Sequence, residues 1–210
     1  MTSRAFLAVI AFFFLSCKKG GSIVYVFDAS QNGKDALLSL PNHNKNYGKE
    51  TELNIYCDTI NGIKYVNRAV LHFDVSKLPT DIVIDSIFLQ LYYNNESGLY
   101  TIKKQGHSGN TGLIVENIVE SWEEDLVNWE KYPKVGSKKL YFKQHNVSYQ
   151  DYRLEVTKLL VNEERRLKNT QGLLLRLEKE ELGNYIHLYS RENKKINSAP
   201  KLKIYAKRQH

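Results

Sequence analysis

The sequence predicts an all-β fold: an antiparallel β-sandwich of jelly-roll type with one short helix. Three observations carry this. Fourteen tyrosines and eight phenylalanines stand against a single methionine, and aromatic side chains suit a half-buried pleated surface better than a helix bundle. About ten short apolar or alternating runs are separated by Gly, Asn, Pro and Ser turn signals, the spacing of a sandwich rather than of βαβ units. Only one segment, TKLLVNEERRLK from Thr157, has helix-like character, with Thr157 as the expected N-cap. At 210 residues and 42% hydrophobic content, the chain is long enough for one domain with one core.

The elements follow in order. IVYVFDAS reads as a first strand ending at Asp28, and QNGKDALLSLPNHNKNYGKE after it reads as a long polar surface loop. ELNIYC is a strand in which Cys57 behaves as a small apolar residue. VNRAVLHFDV alternates, with Ala69, Leu71 and Phe73 on one face and Arg68, Val70, His72 and Asp74 on the other. VIDSIFLQLYYN places Asp85, Ile87, Leu89, Leu91 and Tyr93 together, the more apolar set and the expected core face. LIVENIVESW, KKLYF, YRLEV, GLLLRLE, YIHLYSRE and PKLKIYAK supply the remaining strands. Residues 23–207 form the expected domain, without internal repeats.

The amino terminus carries Arg4, an apolar run from Ala5 to Leu15, then Leu15-Ser16-Cys17. The run is too short to span a bilayer comfortably and has the length of a signal-peptide core. Its end resembles the lipobox of bacterial lipoproteins, with Phe14 where leucine is more usual. That resemblance implies a signal peptide over 1–16, lipidation of Cys17 and a tether over 17–22. The expected location is the bacterial cell envelope, lipid-anchored, periplasmic or at the cell surface. Cys57 is then left without a partner, so no disulfide is expected.

The order of the stations resembles the bacterial DNRLRE-type domains, also classed as carbohydrate-binding module family 96. The stations are Asp28-Ala29, Asn46-Tyr47-Gly48, RAVLHFDVSKLP from Arg68, WEEDLVNWEKYP from Trp122, Glu155-Val156-Thr157, Gly172 opening GLLLRLE, Ser190-Arg191-Glu192 and APKLKIY from Ala199. Glu155 stands where the family usually has aspartate, and residues 98–112 match no station. The resemblance implies a β-sandwich that binds glycans, acidic ones such as alginate for some members.

A formal charge of +7 and a pI near 9.2 suit an anionic partner, although scattered lysines equally make an ordinary solvated surface. Nucleic acid is excluded as a partner by the export signal and the lack of a basic stripe interleaved with aromatics. An acidic polysaccharide calls for guanidinium forks, which meet a carboxylate with two parallel hydrogen bonds. Arg68, Arg176 and Arg191 lie on expected strands, and Lys103, with Lys104, Lys139 and Lys143, adds mobile charge. Candidate stacking platforms are Tyr47, Tyr92, Tyr93, Tyr100, Trp122, Trp129 and Tyr132. The two tryptophans suit a loop that caps one end of the sandwich at least as well.

His187, Tyr189 and Arg191 alternate on YIHLYSRE, a set that would serve ligand binding or, in a small polysaccharide lyase, acid–base chemistry. A polar strand face is the simpler reading, and no catalytic residue is assigned. No cofactor is expected. A structural calcium would draw on Asp28, Glu120, Glu123, Glu124 or Asp125, but no EF-hand-like loop is present, and the isolated histidines give no zinc pattern. The expected function is therefore non-catalytic binding of an anionic polysaccharide by a lipid-anchored, monomeric module. A scaffold or adhesion lipoprotein gripping a protein partner is the alternative.

Overall fold

The computed structural model describes residues 21–98, 106–144 and 147–209. Cys17, Tyr100, Lys103, Lys104 and the signal segment lie outside the described residues. Eleven strands run through the described chain: Ile23–Asp28 (β1), Lys34–Leu40 (β2), Ile55–Ile60 (β3), Ile63–His72 (β4), Ile82–Leu91 (β5), Leu113–Ile118 (β6), Val135–Phe142 (β7), Tyr152–Glu155 (β8), Gly172–Leu177 (β9), Asn184–Ile186 (β10) and Lys201–Arg208 (β11). Two four-residue helices, Ala29–Asn32 (α1) and Thr157–Leu160 (α2), join them.

All pairings are antiparallel and build two sheets. One has the order β1-β11-β5-β8, the other β10-β3-β4-β9-β6-β7 with β2 added beside β4. Val66 pairs with Leu40 on one side and Cys57 on the other, while Ala69 pairs with Leu37 and Leu175. Strands β3 and β9 therefore share one edge of β4, end to end. The sheets face each other across a core that includes Leu71, Ile87, Leu89, Val115, Leu175 and Ile204, the sandwich expected of the sequence.

The alternation read in β4 holds, with Ala69, Leu71 and Phe73 all in this core. The reading of β5 holds only from Ile87 onward. Ser86 pairs with Tyr205 and Ile84 with Ala206, so Asp85 is an extra residue in a bulge. A bulge resets the two-residue period, and Ile82 and Ile84 turn inward as well.

Strand β2 corrects the expected polar loop. Asp35 to Ser39 are buried and Leu40 is half-buried because both faces of the seven-stranded sheet are covered. Leu37 joins the inter-sheet core, whereas Ala36 and Leu38 join Val70, Ile118, Trp122, Val127 and Leu174 in a second cluster on the outer face. The expected helix shrinks to α2, a single turn. Thr157 is not its cap: the cap position is Val156, and the Thr157 hydroxyl instead accepts the Ile87 N–H at 2.9 Å.

The acidic segment 120–133 does not cap an end of the sandwich. It lies over the outer face of the seven-stranded sheet with Trp122 as its anchor, 7% exposed, and the indole N–H donates to Gln171 O at 2.9 Å. The Asn46-Tyr47-Gly48 turn locks it in place. The Asn46 amide donates to Glu124 O at 2.7 Å and Val127 O at 2.8 Å. A Cβ on Gly48 would stand 2.3 Å from Glu124 O, so no larger residue fits. Two family stations far apart in sequence are thus the two halves of one lock.

Candidate functional site

All three candidate arginines are engaged inside the fold, and Arg191, expected on a strand, stands in a turn between β10 and β11. Arg68 stands on the outer face of β4, where its Nε and Nη2 donate to the two Glu180 oxygens at 2.7 and 2.9 Å. Its Nη1 donates to the Tyr132 hydroxyl at 3.1 Å, and its guanidinium lies 4.7 Å from the Trp129 ring centre. Arg176, on β9, bonds Glu116 of β6 at 2.9 Å. Both arginines act electrostatically on Tyr132, so they share one neighbourhood under the Trp-bearing loop. Their ion pairs are about four-fifths buried. These guanidinium forks grip the protein's own carboxylates.

Arg191 lies in a separate cluster. Its Nε is 2.7 Å from Glu192 and 3.4 Å from Glu124, its Nη1 donates to Gly33 O, and its backbone N–H donates to Asp35 at 2.7 Å. Asp35, Glu124 and Glu192 bring carboxylate oxygens within 4.8 Å of one another, the arrangement among the described residues that most resembles a cation site. It does not fit calcium, because the Arg191 guanidinium already bridges two of the three carboxylates and Glu124 also accepts the Asp35 N–H at 2.8 Å. Burial first, and the Glu192 charge next, hold the Asp35 carboxyl well above its usual range. The calcium candidates Glu120, Glu123 and Asp125 instead bind Lys134 N–H, Lys34 and Lys49.

His187, Tyr189 and Arg191 do not form one open face. Strand β10 stops at Ile186, and His187 is completely buried, stacked on Tyr185 with 6.1 Å between ring centres. Burial, helped by His107, lowers its pKa to about 4. Tyr189 is buried, and its hydroxyl donates to Asn95 at 2.6 Å and accepts from Lys195 at 2.8 Å. A general base needs reach to a substrate, which enclosed His187 lacks.

The cations that remain open are elsewhere. A groove of about 640 Å³ runs between edge strand β7 and the α2 turn, with Lys138, Lys139, Lys158 and Arg165 on its walls and Leu140, Leu159 and Val161 beneath. Among the described residues no acidic side chain lines it. Among the described residues none of these four cations pairs with a carboxylate. The walls are well fixed. Lys139 pairs with Glu116 in the β6–β7 ladder, and Lys138 follows the same strand in the irregular stretch before the Ile118–Val135 pair. Arg165 sits in a tight turn at φ 61°, its carbonyl accepting the Ile84 N–H at 2.9 Å and its guanidinium donating to the carbonyl of the bulged Asp85. Of the groove cations, only Lys139 stands among the charges that the sequence suggests for a ligand. The four come from two segments some twenty residues apart, and only the packing of α2 on β7 assembles them.

Two sheets in a sandwich, one outer face sealed by a Trp-anchored loop, and a groove lined by open cations together define a β-sandwich ligand-binding module. The family model for carbohydrate-binding module family 96 matches residues 27–206, and the chain belongs to that family. No curated protein matches the sequence. Carbohydrate binding is therefore the function the family establishes.

Proposed function

We propose that the chain is a non-catalytic module that binds an anionic polysaccharide of the uronate kind in the β7–α2 groove, tethered to a bacterial membrane through lipid on Cys17. The observation that carries this reading is the set of four cations, Lys138, Lys139, Lys158 and Arg165, around one groove without a carboxylate. A polyuronate repeats a carboxylate on each ring, so several weak exposed contacts add along one polymer. Each exposed pair is worth little alone, and the summed attraction is screened by salt.

Retention on alginate or pectate gels tests this. Binding at low salt that falls steeply toward molar salt, and that Lys138→Glu with Lys158→Glu weakens to its high-salt level, supports the reading; retention indifferent to salt and to those substitutions overturns it. Incubation with the same polymers should release no unsaturated ends. Labelling with a fatty-acid analogue, lost in Cys17→Ala, tests the anchor.

A further inference from the structure

Strand β5 links the charged groove to a second depression at its other end. The groove touches β5 near Asp85 through Arg165. At the opposite end the chain leaves β5 at Leu91 and enters Tyr92 and Tyr93. Eight residues at about 3.3 Å each separate Asp85 from Tyr93, roughly 25 Å along the strand. There a shallow cleft of about 470 Å³ is walled by Tyr92, Tyr93, Tyr149 and Tyr189, with Asp151 and Lys195 beside them.

The main chain that carries Tyr92, Tyr93 and Tyr189 is tied down at several points. The Tyr93 N–H donates to Asp151 at 2.9 Å, the Tyr189 N–H donates to Tyr92 O at 3.1 Å, and Tyr93 bridges Leu188. Tyr149 is 59% exposed and meets Tyr93 edge-on, at 5.6 Å and 72°. No parallel ring covers it among the described residues. The charges here are balanced: Lys195 bonds Tyr189 and Glu96 and sits beside Asp151.

We propose that this tyrosine cleft is a second carbohydrate subsite, one that takes a pyranose unit through its C–H face and hydroxyl groups rather than through its charge. The inference rests on the reading of the chain as a glycan-binding module, but not on the groove's preference for anions. The rings of Tyr92, Tyr93 and Tyr149 provide a platform for an apolar sugar face, and the exposed Lys195, Asn95 and Asp151 offer donors and acceptors for hydroxyls. Contact of this kind is insensitive to salt, unlike the groove. A polymer that reaches both sites gains from the raised effective concentration of the second contact.

Affinity electrophoresis in alginate and in its carboxyl-reduced neutral counterpart separates the two sites. Wild type, Tyr149→Ala, Tyr149→Phe and Lys138→Ala with Lys158→Ala are compared at low and molar salt, with melting curves confirming the fold. In molar salt, and on the neutral polymer, Tyr149→Ala is expected to bind about tenfold more weakly than wild type, Tyr149→Phe to keep its binding, and the lysine variant to match wild type. Wild-type behaviour of Tyr149→Ala under these conditions overturns the subsite, even where the lysine variant confirms the groove. Loss in Tyr149→Ala with no effect of salt or of the lysine substitutions overturns the anionic preference and leaves the subsite standing. A wild type that binds neither polymer overturns both.

Discussion

Arg68 clasps Glu180 with two parallel bonds of 2.7 and 2.9 Å while its guanidinium rests 4.7 Å from the Trp129 ring. This contact fastens the 178–181 turn and the Trp-bearing loop to the outer face of β4. Arg68→Ala leaves a mostly buried carboxylate without its partner, and chemical denaturation is expected to show a loss of about 2 kcal/mol. Arg68→Lys recovers only part of this, since a lysine cannot make the fork. Retention on alginate, normalised to folded protein, should be unchanged in both. A stable Arg68→Ala that no longer binds would return Arg68 to the ligand.

Trp122 has a related role. It fills the outer-face cluster with Ala36, Leu38, Val70 and Leu174 and uses its N–H on Gln171 O. Trp122→Ala removes both and is expected to cost about 3–5 kcal/mol, read as a drop in denaturation midpoint. A change under 1 kcal/mol would mean that the loop does not cover this face in solution.

How much of this was legible in the sequence depends on what lies on each side of a strand. Strand β4 could be read because its inner face is plainly apolar and its outer face mixed. Strand β2 could not, because a strand covered on both faces loses its alternation, and DALLSL is flanked by Asn and Gly that read as loop. Asp85 hid the inward turn of Ile82 and Ile84, since a bulge leaves no compositional mark. Arg68 and Arg176 were legible as residues set apart on strands, whereas Arg191 proved to lie in a turn, and the partners Glu180, Glu116 and Glu124 are evident only once the fold brings them near. Lys138 and Lys158 looked like ordinary surface charge for the same reason.

Buried His187 gives the fold an acid limit. Its folded pKa, about 4, is below the ordinary value near 6.5, so the unfolded chain takes up the proton first as pH falls. Stability is fully present above pH 6.5 and is lost as pH drops toward about 4, by about 3 kcal/mol. His187→Phe, which keeps a ring against Tyr185, should flatten that limb in melting curves from pH 7 to 4. An unchanged limb would place the titration elsewhere.

Asp35 acts in the opposite sense. Its raised pKa means that the folded state holds the proton more tightly, so its contribution is present at acid pH and lost as pH rises through the folded value. Asparagine can still accept the Arg191 N–H but carries no charge. Asp35→Asn is therefore expected to lose less stability than wild type between pH 5 and pH 8.5, in melting temperatures at the two values. A larger loss in the variant would contradict the raised Asp35 pKa.

Amide chemical-shift titration with a short oligouronate addresses the ligand groove itself. The account expects saturable shifts across residues 137–140 and 157–165, which weaken when salt is raised and disappear in Lys138→Glu with Lys158→Glu. Shifts confined to the neighbourhood of Arg68 and Arg176, or no shifts at millimolar oligouronate, would contradict it.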